Sequence, residues 1–166
     1  MKVWLVRLAF LGALGAVGFW AWHLFFPGPE QIVRKRLAEL AQTASILPNE
    51  GSLTILAKTQ RLSSLFSADA QVAIDVPGRS IQTLSGREEI QRAAMGARSM
   101  LNILKIEFVD VIVDVGPSRQ SAIAHLTATA NLPGEKIPEV EELAISFRRI
   151  DRDWLINRVE SVKTLR

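Results

Sequence analysis

Residues 103–132 read ILKIEFVDVIVDVGPSRQSAIAHLTATANL. From 121 onward, Ala122, Ala124, Leu126, Ala128, Ala130 and Leu132 fall on one side, and Ile123, His125, Thr127, Thr129 and Asn131 on the other. A period of two places successive side chains on opposite faces of an extended backbone, so this is a strand with one small, apolar face. Residues 103–115 are dense in Ile and Val, a strand composition, and stop at Gly116-Pro117-Ser118, a turn. Downstream, a loop over 133–138 leads to strand-like residues 140–150. Asp151-Arg152-Asp153 then turns the chain into a last strand over 154–165. Four long strands with hairpin-sized connections make an antiparallel meander.

Upstream the period changes. After Pro29 and Glu30, which suit a first helical turn, Ile32, Val33, Leu37, Leu40, Ala41 and Ala44 recur at helical spacing. Arg34, Lys35, Glu39 and Gln42 take the other face, and the Arg34-Lys35-Arg36 run reads as a solvated surface. Pro48-Asn49-Glu50-Gly51 is a loop, with Ser52 placed to cap a second helix that buries Leu53, Leu56, Leu62, Leu65 and Phe66. Residues 70–76 alternate as a half-buried strand, Pro77-Gly78 turns, and 81–84 offers a short return strand. Ser85-Gly86-Arg87-Glu88 has capping-box spacing, and Ile90, Ala94, Ala97 and Leu101 supply the third helix with its apolar stripe. The domain from 29 to 166 is therefore expected to be α+β, three helices packed on a mainly antiparallel sheet.

Before it, residues 8–26 contain no Asp, Glu, Lys or Arg. Nineteen helical residues span about 28 Å, near the ~30 Å of a bilayer's hydrocarbon core. Trp4 lies at one end and Trp20 and Trp22 at the other, as at two membrane interfaces. Bulky Trp20 to Phe26 follow where a signal peptide would carry small residues, so residues 1–28 read as a retained anchor. Lys2 and Arg7 favour a cytoplasmic N-terminus, although Arg34, Lys35 and Arg36 beyond the span nearly balance them. The expected location is a bacterial inner membrane, crossed once, with the domain in the periplasm. The whole chain carries 20 basic and 17 acidic residues; with Lys2 and Arg7 set aside the remainder is close to neutral. That balance is not the footprint of a nucleic-acid binder. There is no cysteine, which removes disulfides and thiol chemistry.

The order helix, helix, strand, short strand, helix, four long strands resembles the nuclear transport factor 2-like superfamily, which includes SnoaL-like and ketosteroid-isomerase-like proteins. Phe66-Ser67-Ala68-Asp69-Ala70 is similar to the entry of its first strand. Ser85-Gly86-Arg87-Glu88-Glu89-Ile90 is similar to the start of its third helix, and residues 147–156, FRRIDRDWLI, to its final hairpin. The resemblance implies a curved sheet wrapped around helices as a cone. It does not imply one function, because this fold hosts isomerases, cyclases, dehydratases, assembly modules and transport factors. The isomerase-like members place an acid just before the proline that ends the first strand. Here Val76 holds that position, Asp75 lies one residue earlier, and the chain has no Tyr to stabilise an oxyanion.

Three residues are candidates for a pocket or an interface. His125 is the one histidine of the domain and, as a residue type, the natural candidate for acid–base work, but its strand sets it opposite the Ala/Leu face, where related domains often meet a second copy. Asp110 and Asp114, four residues apart in one strand, share a face, and Asp110 is a candidate for an arginine partner on a neighbouring strand. Arg148 belongs with Arg149 and Arg152, opposite in sign to Glu139, Glu141 and Glu142 at a strand entrance. No catalytic constellation, metal-ligand spacing, phosphate loop or cofactor motif is expected. Two readings follow: a membrane-tethered, non-enzymatic interaction module, with a homodimer or another membrane protein as partner, or a small-molecule enzyme or carrier using the cone pocket.

Overall fold

The computed structural model describes residues 28–74, 82–132, 134 and 137–162. The expected span at 8–26 lies outside the described residues, as do Asp75 and Val76. Among the described residues no helix is long and apolar enough to cross a membrane. The elements follow in the order α1 (Pro29–Ala44), α2 (Ser52–Ser64), β1 (Phe66–Ile74), β2 (Gln82–Ser85), α3 (Arg87–Met100), β3 (Lys105–Val115), β4 (Ser121–Asn131), β5 (Glu139–Ile150) and β6 (Asp153–Ser161).

All six strands form one sheet in the order β2-β1-β6-β5-β4-β3. The meander β3 to β6 is antiparallel throughout, as its short connections require; β1 joins β6 in parallel, so the sheet is mixed. One row of inward side chains crosses every strand: Val113, Ala124, Ile145, Val159, Val72 and Leu84. The next row, Val115, Ala122, Phe147 and Ile156, closes toward Trp154, and Phe147, Trp154 and Ile156 are almost completely buried. Val33, Leu37 and Leu40 of α1 and Leu62 of α2 complete this core, which is why the Ala/Leu side of β4 faces inward and Ile123 and His125 face out.

Two irregularities bend the sheet. β3 carries one extra residue between Val109 and Ile112, and Asp110 takes it up with φ 52°. A second shift lies where β5 passes from Ser146 to Phe147 opposite β6. Such bulges raise the local twist and curve a sheet. The first also corrects an expectation: Asp110 and Asp114 do not sit on one face by simple alternation, because the phase of β3 reverses across Asp110.

The helices differ from their expected faces in instructive ways. On α2, Leu53 and Leu56 are 83% and 43% exposed; the stripe turned inward is Thr59, Leu62 and Ser63, with Ile55 half-buried above them. Gly51, not Ser52, is the N-cap of this helix. On α3 the inward stripe runs through buried Ile90, half-buried Ala94 and buried Arg98 at steps of four, while Ala97 is exposed. Its N-cap is Gly86 at φ 82°, whose N–H donates to Ala70 O at 2.7 Å. The expected capping box does not form, since the N-cap is glycine and no side chain caps the helix; only a carboxylate reaches back, Glu89 rather than Glu88 accepting from the Ser85 N–H at 2.6 Å.

Arg98 is buried because its charge is met. Its Nη1 donates to Glu50 Oε2 at 2.8 Å and its Nη2 to the Thr43 carbonyl. Lys58 pairs with the other Glu50 oxygen, which also accepts the Leu47 N–H at 3.2 Å. Burial alone would raise the Glu50 pKa; hydrogen bonds from Lys58 and Leu47, with the charges of Lys58 and Arg98, outweigh it and hold the carboxyl below its ordinary value. This cluster ties α1, the loop after it, α2 and α3 into one cap over the sheet.

Candidate functional site: an apolar cavity inside the cone

A cavity of about 440 Å³ lies between helices and sheet. Its helical wall is Leu40 and Ala44 from α1, Leu62 from α2 and Ile90 from α3. Phe66, Val72 and Ile74 of β1 and Leu84 of β2 form one flank. Ile106 and Phe108 of β3, Ala128 and Ala130 of β4, and Leu143 and Ile145 of β5 form the floor. The volume falls within the ~300–1,000 Å³ usual for small-molecule sites.

The cavity exists because the inward rows change character along the sheet. Around Phe147 and Trp154 they are filled with large side chains. Toward the end where β3 and β5 begin and β4 finishes, the rows become Phe108–Ala128–Glu141 and then Ile106–Ala130–Glu139. Two alanines in the middle of these rows leave space that no helix side chain fills. Glu139 and Glu141 continue the inward phase set by Phe147, Ile145 and Leu143, because every second residue of a strand shares a face. Glu141 is half-buried and Glu139 exposed, which places them at the rim. They are the titratable residues among the described lining; no described Lys, Arg or His is there.

None of the three sequence candidates lines this cavity. His125 is exposed on the outer face, paired with Ile112 and Ala144 on the flanking strands. Asp110 is exposed at the β3 bulge and, among the described residues, takes part in no ion pair. Arg148 does not pair with the glutamates of its own strand. One of its guanidinium nitrogens donates to both Asp69 oxygens at 2.8 Å. That bond is the largest of the hydrogen bonds that hold the Asp69 pKa down to about 2, the Asp69 backbone N–H adding to it. The three therefore do not converge. Among the described residues no group of three His, Cys, Asp or Glu could hold a metal ion.

Sequence reasoning passed over Glu139 and Glu141 as a charged strand entrance. The signal that would have found them is local: counting back in twos from Phe147 leads to both.

No protein-family model matches the chain, and no curated protein matches it in sequence. Solved structures match its shape. The described fold is the cystatin-like cone of nuclear transport factor 2-like proteins, with three helices on a six-stranded mixed sheet. A nuclear transport factor 2-like protein of unknown function from Pseudomonas putida superposes with TM-score 0.62 at 10% identity, over 81% of this chain and 85% of its own. Another with a cystatin-like fold, from Novosphingobium aromaticivorans, has TM-score 0.60 and 18% identity over 80% and 79%. A dehydratase candidate of the same family from Streptomyces avermitilis has TM-score 0.59 and 18% identity over 83% and 97%. At these identities the likeness is one of fold.

Proposed function

We propose that this domain is a binding module for an apolar small molecule, held at a membrane by residues 8–26. The observation that carries the reading is the cavity itself: about 440 Å³, open, and walled by Leu, Ile, Val, Phe and Ala from all nine described elements. Burying an apolar ligand there is favourable by roughly 25 cal/mol per Å² of surface removed from water. Dehydration, the activity suggested for the Streptomyces avermitilis neighbour, needs a base for the proton and an acid for the departing hydroxyl. Among the described lining only Glu139 and Glu141 could serve, and neither has a titratable partner opposite it on another element. Binding is the better-supported reading.

Tethering fits the position of the cavity. α1 starts two residues after the expected span ends, and Leu40 and Ala44 in its last turns line the cavity. At 1.5 Å per residue that puts the site roughly 16–22 Å along the helix from the chain's entry. The test has two arms. Native mass spectrometry of the full chain, purified from membranes in mild detergent, is expected to find an apolar adduct that Ala128→Phe removes by filling the floor. Identical adduct occupancy in Ala128→Phe would refute the reading. N-terminal sequencing of the membrane fraction tests the anchor, and a mature chain beginning beyond Phe26 overturns it.

A protein contact on the opposite face has its own support. Val109, Ile112 and Ile123 are 44%, 62% and 44% exposed around His125 on neighbouring strands, an apolar patch that a second copy would cover. Sedimentation of the full chain in detergent is expected to give a dimer that Ile112→Lys dissociates; a monomer at all concentrations refutes it.

A further inference from the structure

We infer that the ligand of this cavity carries a positively charged head, a protonated amine on an apolar body, with the head seated over Ala128 and Ala130. The inference rests on the reading of the cavity as a binding site and adds the class of ligand. Its first support is the placement of two carboxylates. Interior-facing positions of a strand ordinarily hold apolar side chains, and β5 obeys this at Leu143, Ile145 and Phe147, then departs from it at Glu141 and Glu139. A departure from the binary pattern confined to the lining of a cavity is where function overrides folding.

The second support is what stands opposite. The register sets Phe108, Ala128 and Glu141 side by side on three strands, and Ile106, Ala130 and Glu139 in the adjoining row. Neighbouring strands lie about 4.8 Å apart, so Phe108 and Glu141 flank a slot about 10 Å wide between backbones, floored by methyl groups. An ammonium in that slot meets a carboxylate on one side and an aromatic face on the other, and both attract cations. A carboxylate head would meet two like charges and, among the described lining, no cation to offset them. Glu141 is half-buried, so water screens its charge only in part and it still discriminates between heads. Neither Glu139 nor Glu141 is in an ion pair among the described residues, so both are available to a ligand.

The experiment uses the full chain in a non-ionic detergent, with a neutral polarity-sensitive dye in the cavity displaced by three matched ligands: octylamine, octanol and octanoate. Octylamine, protonated at pH 7.5, is expected to displace the dye at a concentration roughly tenfold or more below octanoate, with octanol between. In Glu139→Gln/Glu141→Gln the amine and octanoate converge on octanol. In Glu107→Gln, on the outer face of β3, the order is kept. Octanoate binding as tightly as the amine, or a preference for the amine that persists in the double variant, overturns the inference while leaving the cavity a binding site. Failure of all three ligands, octanol included, refutes the binding reading itself.

Discussion

Replacing Arg98 with methionine removes one partner from a buried charged cluster and leaves the other in place. The Arg98 side chain is 3% exposed and Glu50 6%, so water cannot substitute for the lost guanidinium. Breaking such a pair from one side costs about 3–5 kcal/mol, because the remaining charge stays buried. Here Lys58 still holds one Glu50 oxygen and Leu47 N–H still donates to it, which favours the lower end, about 3 kcal/mol. The Thr43 carbonyl loses its donor as well. For a domain of this size each kcal/mol moves Tm by about 3–4 °C, so Arg98→Met lowers Tm by roughly 10 °C or more. Glu50→Gln added to Arg98→Met closes a double-mutant cycle: the two losses are less than additive, since either change alone already breaks the Arg98–Glu50 pair. Thermal unfolding of the full chain in detergent, followed by far-ultraviolet circular dichroism, measures both. The pH profile supplies an independent reading. A carboxyl whose folded pKa lies below its unfolded value stabilises above the unfolded pKa, and that contribution disappears as pH falls through the folded one. Wild type therefore loses stability below its ordinary value of 4.5, and Arg98→Met loses less over the same range. A Tm within 2 °C or so of wild type for Arg98→Met, or losses that simply add in the double variant, would show that the cluster does not tie the helices together.

Other positions test the fold more locally. Asp110 holds φ 52° at the β3 bulge, so Asp110→Gly is near neutral, whereas Asp110→Val, β-branched in the left-handed region, lowers stability by about 1–2 kcal/mol in urea titrations. Gly86→Ala combines φ 82° with a methyl carbon placed 3.3 Å from the Ala68 carbonyl; it is expected to destabilise by at least about 1 kcal/mol on the same scale. Arg148→Ala removes the largest of the influences that hold Asp69 to about 2, so carboxyl NMR titration finds Asp69 raised toward 3.8 with Tm unchanged, the pair being exposed.

How far the chain could be read in advance depended on how local each signal is. The alternation of β4 announced its inward face, because backbone geometry alone sends successive side chains to opposite sides. The meander followed from turn residues at Gly116-Pro117-Ser118 and Asp151-Arg152-Asp153, with Asp151 at φ 56° where the hairpin reverses. Helical spacing likewise identified Val33, Leu37 and Leu40. These features depend on residues a few positions apart, and no distant contact was needed to fix them. The face of α2 was misread for a related reason: Leu53 and Leu56 are apolar, but the turn of helix that meets α3 and the sheet begins lower, at Thr59.

The remaining features required the closed chain. Arg98 is a core residue only because Glu50, 48 positions earlier, is folded onto it. Arg148 found Asp69 rather than its sequence neighbours because β5 and β1 flank β6 and the two side chains meet across it. His125, Asp110 and Arg148 were attractive by chemistry, but the register and the β3 bulge disperse them over the outer surface. Glu139 and Glu141 were plain acids in a strand entrance until pairing set them beside Ala128, Ala130 and the slot next to Phe108. Periodicity alone determined which elements form and which sides are apolar. Only tertiary structure decided which charges are buried, which are paired and which face an empty space, because those properties belong to pairs of distant residues.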